Sequence, residues 1–379
     1  MKKYLIIAAA ALVASAACTK SEKAPEADQL IPVTFELANY KAQSKAADPS
    51  APAGSFLRIN DSFSSRAFLH GQGVDLNSDG TVNGTSFQNF FGSATPWTET
   101  ISWDSSNKKW APSVTYYWPK GTQSFVNFVS WYGATPTISY AYTSSKWTAT
   151  MDFNLATLAA DADILYADMA WRFKENVSTY HKDDAGVVGV PTLFHHALSQ
   201  ITVEAYVDAT TTSAGLPADA NSKWTVSIEN FKIGTVSVGG TLHLTNADPG
   251  TATTTQAWTA SLSSPSSNDI TAATTNITSI SASAATPVIA LKSVLPQTIA
   301  NTVKMTADVR IIDTNLTSGA THEEVIPLEF TLAAFGTSEW VLNTHYTYRI
   351  KIQPSTSEVL YDPAVDSDWL EVVGTLQTL

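Results

Sequence analysis

Apolar and polar residues alternate with a period of two along most of this chain. Over residues 200–208, Ile201, Val203, Ala205 and Val207 fall on one side and Thr202, Glu204, Tyr206 and Asp208 on the other. Trp224, Val226 and Ile228 repeat the pattern, as do Val303, Met305, Ala307, Val309 and Ile311. Near the end, Tyr346, Tyr348, Ile350 and Ile352 alternate with Thr347, Arg349 and Lys351. Successive side chains of a strand face opposite sides of its sheet, so these runs predict strands with one face on a core and one in water. Such alternation is typical of antiparallel sheets packed as sandwiches. The stretch from Phe125 to Tyr132 is apolar on both faces and predicts a central strand. Helical periodicity is weak, and residues 157–167 are the one stretch that suits a short helix.

Two Ser-, Thr- and Ala-rich stretches, residues 208–222 and 247–285, offer few large apolar groups and read as long surface loops or solvated strands. Around residues 180–190 the composition shifts, with His181-Lys182-Asp183-Asp184 followed by Gly186 and Gly189. The chain of 379 residues is long enough for two domains at roughly 100–200 residues each. The shift sets a boundary that divides it into an N-terminal β-domain, residues 46–188, and a C-terminal one, residues 189–379.

The first 45 residues read differently. A basic head (Lys2, Lys3), an apolar run over residues 4–13 and the small residues Ala14 to Ala17 have the layout of a secretory signal. The run is too short for a membrane span, which needs ~20 residues. Cys18, the chain's single cysteine, follows at once and resembles the lipidated cysteine of a bacterial lipobox, with Ser15 a departure from that pattern. Residues 1–18 are thus a lipoprotein signal and 19–29 a polar tether. Residues 30–37 then alternate, with Val33, Phe35 and Leu37 on one face of a half-buried strand. Ser44-Lys45-Ala46 opens a Pro-, Ala- and Ser-rich loop; on residue type alone, Lys45 is a surface lysine.

Charged residues are only 15% of the chain, and the net charge is −12. A chain this acidic repels phosphate backbones, which argues against nucleic-acid binding. One cysteine excludes a disulfide framework. No G-x-S-x-G, G-x-G-x-x-G, phosphate-binding loop or H-E-x-x-H occurs, so no enzymatic activity and no cofactor are expected. His195 and His196 are neighbours on a predicted strand and face opposite ways, which suits structural roles better than a shared metal. Asp161 and Asp163 show no acid or base partner. Asp75, Asn77 and Asp79 with Gly80 match the opening of a calcium loop, but Ser86 stands where the bidentate carboxylate belongs, and a polar turn explains the same residues. The eleven Trp and thirteen Tyr sit largely inside strand patterns, as in Tyr116-Tyr117-Trp118, and suit core packing.

Several segments, in order, resemble the fimbrillin family of Bacteroidales surface pilins. They are Val33-Thr34-Phe35 with Ser44-Lys45-Ala46; Tyr116-Tyr117-Trp118-Pro119 leading to Phe125-Val126-Asn127-Phe128; and Asp163-Ile164-Leu165-Tyr166-Ala167. They continue with Phe194-His195-His196-Ala197-Leu198-Ser199, with Leu295-Pro296-Gln297, and with Trp340, Asn343, Tyr346, Tyr348 and Asp368-Trp369. The Ser/Thr-rich insertions have no counterpart in that pattern.

The resemblance implies an all-β fold of two transthyretin-like antiparallel β-sandwich domains in tandem. It implies a lipoprotein of the outer membrane that a trypsin-like protease cuts between Lys45 and Ala46, with Arg58 and Arg66 the next basic residues available. Residues 19–45, with the Val33/Phe35/Leu37 strand as a placeholder, then leave. Subunits, identical or related, join head-to-tail by strand exchange into a cell-surface fimbria for adhesion, with host glycans or proteins as further partners. Residues 365–379 hold a candidate donor strand with Leu370, Val372 and Leu376 on one face, although the same stretch could equally complete its own domain. Removing residues 1–45 takes six lysines and four acidic residues and leaves a net charge of −14. The alternative is a monomeric glycan-binding lipoprotein of the outer-membrane surface, which needs an exposed aromatic platform and no processing.

Overall fold

The computed structural model describes residues 31–38, 57, 61–71, 75, 86–92, 95–119, 124–156, 158–159, 162–173, 189–207, 222–249, 258–278, 280, 285–354 and 358–368. The first strands are β1 (Phe35–Ala38), β2 (Ser62–His70), β3 (Gln88–Asn89), β4 (Thr98–Asp104), β5 (Lys109–Pro112) and β6 (Phe125–Tyr132). Next come β7 (Thr137–Thr143), β8 (Lys146–Leu155), β9 (Leu165–Ala167), β10 (Ala170–Phe173) and β11 (Val190–His196). The second half holds β12 (Ser199–Val207), β13 (Ser222–Ala247), β14 (Thr259–Thr271), β15 (Asn276–Ile277), β16 (Thr286–Val294) and β17 (Gln297–Thr298). It ends with β18 (Lys304–Asn315), β19 (Thr321–Thr331), β20 (Glu339–Trp340), β21 (Thr344–Gln353) and β22 (Glu358–Asp368). The fold is all-β; the helical element among the described residues is one 3-10 turn, Leu332–Phe335. Where the sequence suits a short helix, over residues 157–167, the chain instead enters β9. Leu165, Tyr166 and Ala167 are each buried there against a neighbouring strand, and tertiary pairing overrides a weak local preference.

Three cores organise these strands. The first lies inside a sheet that closes on itself: β6, β9, β11, β1, β5, β4 and β2 follow one another, and β2 pairs back onto β6. Closure leaves a small interior filled by side chains. That interior holds Phe35, Phe63, Phe91, Ile101, Trp110, Phe128 and Phe194 among others. The β6 strand is buried along almost its whole length, as its two-faced apolar pattern predicts.

The second core lies between the outer face of this ring and the hairpin of β7 and β8, with Phe68, Trp131, Tyr140, Trp147, Met151 and Trp171. The third is a two-sheet sandwich. Its four-stranded sheet has the order β16-β12-β21-β22 and supplies Ile201, Val203, Tyr348 and Ile350. Facing it, β13 and β18 supply Val226, Ile228, Met305 and Val309. These are the positions that the alternating pattern assigns to the core.

The β13 strand joins the second and third cores. Its early residues Val226 to Val236 belong to the third, and Leu242 and Leu244 to the second. It pairs with β18 over its first half and with β8 over its second. One sheet therefore draws strands from both sides of residue 188. The β14 strand pairs along β13 with mostly exposed side chains, so part of the Ser/Thr-rich stretch is a solvated strand.

Candidate functional site

The β1 strand is a stave of the closed ring, and both its edges are engaged. On one side it runs parallel to β11, with Phe35 beside Val190 and Ala38 beside Leu193. The Val190 amide donates to the Thr34 carbonyl at 2.7 Å. On the other side Phe35 pairs with Trp110 of β5, the single register pair on that edge. Just before β1, the Val33 amide donates to the Tyr116 carbonyl at 2.8 Å and the Trp118 amide to the Ile31 carbonyl at 3.0 Å. The seam is thus thinnest between β1 and β5.

The side chains explain why this segment sits there. Val33, Phe35 and Leu37 are 2%, 2% and 9% exposed, and all three line the ring's interior. The Phe35 ring meets Phe63 at 5.6 Å and Phe128 at 5.7 Å, both edge-to-face, and Phe91 at 6.3 Å. Edge-to-face pairs are favoured by the ring quadrupole. Gly189 lets β11 come close: a Cβ there would lie 2.6 Å from the Glu36 nitrogen. A slot of this kind, with backbone edges on two sides and apolar sockets at alternate positions, accepts one extended segment.

Other residues singled out by sequence fall as follows. Cys18, Lys45, Ala46, Asn77, Asp79, Leu370, Val372 and Leu376 lie outside the described residues. Arg66 lies in the middle of β2, which pairs with β4 and β6 on its two edges, so its backbone is not presented to a protease. Val365 to Asp368 of the candidate donor stretch pair with Thr344 to Thr347 in the chain's own four-stranded sheet. Asp75 is buried, and its carboxylate takes the His70 Nδ1 at 2.7 Å and the Gly71 amide at 3.1 Å. Those bonds occupy the oxygens that a calcium loop would use. Among the described residues no group of three or more His, Cys, Asp or Glu is placed to hold a metal ion.

The histidines form separate polar pairs. His195 and His196 face opposite ways, as adjacent strand residues must, and bond Asp168 at 3.0 Å and Asp163 at 2.7 Å. Asp163, with no partner evident in sequence, is thus matched by a residue thirty-three positions away. Sequence reading also misses a row across β8, β13 and β14. There His243 bonds Asp152 at 2.8 Å and Ser263 at 2.5 Å. The groups are ordered like an acid, base and nucleophile. The row lies on a part-exposed face of the sheet, beside a register shift of the β13–β14 ladder that follows Ser263.

A buried network ties the ring to the second core. His70 Nε2 meets the Tyr140 hydroxyl at 2.7 Å, Asn127 donates to that hydroxyl at 2.6 Å, and the Arg172 amide donates to Asn127 at 2.6 Å. Arg172 then grips Asp248 through Nε at 3.0 Å and a terminal nitrogen at 2.8 Å. Burial pushes the His70 pKa down and the Tyr140 pKa well up, so both hold as neutral groups.

Comparison with known proteins adds to this geometry. Residues 79–369 match the model of the fimbrillin-like family. No curated protein sequence matches the chain. Similar solved structures include a proposed cell adhesion protein from Bacteroides uniformis. It is 14% identical, with 89% of this chain and 99% of that one covered and a TM-score of 0.41. Another, from Parabacteroides distasonis, is 10% identical over 91% of this chain and 98% of that one, with a TM-score of 0.37. A third is the fimbrial anchor protein Mfa2 from Porphyromonas gingivalis, 11% identical over 90% and 98%, with a TM-score of 0.29.

Proposed function

The chain belongs to the fimbrillin-like family of fimbrial, adhesion-type proteins, and from that premise we propose that it is a structural subunit of a cell-surface fimbria assembled by strand exchange. In this reading it is exported as an outer-membrane lipoprotein lipidated at Cys18 and is cut between Lys45 and Ala46 by a trypsin-like protease. Residues 19–45 then leave, and with them the placeholder strand. Residues 46–188 and 189–379 act as tandem transthyretin-like β-sandwich domains. A strand from a neighbouring subunit, drawn from residues 369–379 with Leu370, Val372 and Leu376, takes the vacated slot. The assembly is head-to-tail and open, so it grows as a filament.

One observation carries the reading: an eight-residue stretch at the start of the described chain closes a ring of strands that otherwise runs from residue 62 to residue 196. Full burial of each of Val33, Phe35 and Leu37 contributes about 1.5–3 kcal/mol. Withdrawal also unpairs the Tyr116 carbonyl and the Val190 and Trp118 amides. Unpaired backbone beside an open apolar groove is a template for an incoming strand.

Limited trypsin treatment of the purified precursor, followed by electrophoresis without boiling, tests this. A ladder of multimers that is absent from the Lys45→Ala protein is expected. A monomer that persists after complete removal of residues 1–45 would overturn the reading.

A further inference from the structure

Asp152, His243 and Ser263 come from three strands of one sheet, β8, β13 and β14, and strand alternation puts them on its outer face. His243 lies between Leu242 and Leu244, and Asp152 between Met151 and Phe153, and these four apolar side chains are fully buried on the other face. The register sets His243 directly opposite Asp152 of β8. On β14 its direct partner is Ser261, and Ser263 is the diagonal neighbour two residues on. A diagonal neighbour is within reach of an aromatic ring. The imidazole accordingly meets Asp152 Oδ1 through Nδ1 at 2.8 Å and Ser263 Oγ through Nε2 at 2.5 Å. The Asp152 and His243 side chains are each 32% exposed, so the row is open to small molecules. Elsewhere serine hydroxyls donate to carbonyl oxygens, Ser65 to Val129, Ser199 to Val341 and Ser293 to Ala162, where the proton has no base to go to.

The chemistry of the row follows from its donors and acceptors. An ionised carboxylate only accepts, so Nδ1–H donates to Asp152, and Nε2 of the neutral ring accepts from the Ser263 hydroxyl. Asp152 thereby holds the tautomer that can take the serine proton. The same-face neighbours Thr241, Thr245, Thr150 and Asn154 are uncharged and bring no cation to compete for Asp152. After Ser263 the ladder slips: Thr241 pairs with Ser263 and Gly239 with Ser266, so Ser264 and Pro265 stand against Gly240 alone. Ser264 takes a φ of 49° and Gly240 one of 148° at this bulge. The β14 strand pairs with β13 and with no other strand among the described residues, so its far edge is open. An open edge presents backbone N–H groups, and these are the donors that a carbonyl oxygen approaching Ser263 would meet.

We infer that Ser263 is a reactive serine that accepts an acyl group from a small activated ester, with His243 as its base and Asp152 as the positioning residue. Ser263 Oγ bonds to the acyl carbon as its proton passes to His243 Nε2. The bond from that carbon to the leaving oxygen then breaks, and the leaving oxygen takes the proton back from Nε2. The products are an O-acyl serine and the free alcohol or phenol. A part-exposed sheet face holds a donor only weakly, so the reactivity of the ester selects it rather than tight binding, and aryl esters of short acids fit best. None of β8, β13 and β14 belongs to the ring that β1 closes, so the inference does not depend on strand exchange.

The test is incubation of the purified precursor with p-nitrophenyl acetate, following p-nitrophenolate release and locating the acetyl group by peptide mass mapping. An acetyl group on Ser263, with a matching burst of p-nitrophenolate, is expected. Ser263→Ala should remove both. His243→Gln should slow acetylation of Ser263 roughly tenfold or more, as loss of a general base does. Asp152→Asn should lower the maximal rate at least threefold and leave the ester concentration for half-maximal rate unchanged, a split that a loss of packing would not give. Ser261→Ala, at the position directly opposite His243, should react as the wild type does. Thermal midpoints establish that each variant is folded, and the wild-type map decides the matter even if His243→Gln unfolds. Acetylation confined to lysines in the wild type, or equal rates at Ser263 in the wild type and folded His243→Gln, overturns the inference.

Discussion

Gly189 and Glu36 touch backbone to backbone: a Cβ on Gly189 would stand 2.6 Å from the Glu36 nitrogen and 2.7 Å from the Phe35 carbonyl carbon. Neither atom can swing aside as a side chain can. Gly189→Ala must therefore push β1 and β11 apart, at a cost of about 1–3 kcal/mol for overpacking. Amide exchange of Val190 and of the β1 amides should accelerate while exchange in β18 and β21 stays as it is. Uniform acceleration across all sheets would show that the contact does not act locally.

Phe35→Ala is expected to destabilise the precursor by about 3–5 kcal/mol, the cost of a large cavity among Phe63, Phe91 and Phe128. Denaturant titration checks this. After trypsin removal of residues 1–45, wild type and variant should unfold alike, because the substituted residue has gone. A difference that survives processing would mean that the segment stays bound.

Stability should fall as the medium becomes acidic below about pH 6.5, the ordinary value for an exposed histidine. His70 and His345 both have pKa values lowered chiefly by burial. The unfolded chain takes up protons there that the folded chain does not. Each such histidine therefore removes up to about 1.4 kcal/mol per pH unit until its folded-state pKa is reached. Asp75 opposes the effect at His70 but does not reverse its direction. Unfolding free energies at pH 7.5 and pH 5.5 measure the slope, and His70→Gln should flatten it. An unchanged slope would place the linkage elsewhere.

The Arg172–Asp248 pair joins β10, which pairs with β6 of the ring, to the residue that follows β13, with side chains 24% and 3% exposed. Arg172→Met leaves Asp248 buried without its cation and should cost about 3–5 kcal/mol. The double change Arg172→Met with Asp248→Asn should recover a measurable part of that loss, since the stranded charge is then gone. Equal stability of the single and double variants would show that the charge itself is not the cause.

Much of the fold is legible in the alternating pattern. Ile201, Val203, Ala205 and Val207 are all buried, as are the odd-numbered residues from Val303 to Ile311 and the even-numbered ones from Tyr346 to Ile352. Each side chain's face follows from the two-residue repeat, whatever its partner strand. Most of the described aromatics serve cores as their setting predicts; Tyr117, at 44%, is the most exposed Phe, Tyr or Trp among the described residues. The short strand β9 was not legible, because three residues carry too little periodicity to separate strand from helix.

The sequence by itself determined which residues are inward-facing, that the chain is β throughout, and that Val33, Phe35 and Leu37 form one apolar face near its start. Those properties are local, fixed by the chemistry of neighbouring residues and the pleat of the backbone. Only the tertiary structure decided that this face closes a ring between β11 and β5, that Gly189 permits the approach, and that His196 finds Asp163 across a strand. Pairings between distant segments depend on register and on what the rest of the chain leaves vacant, and neither is written in the spacing of a single stretch.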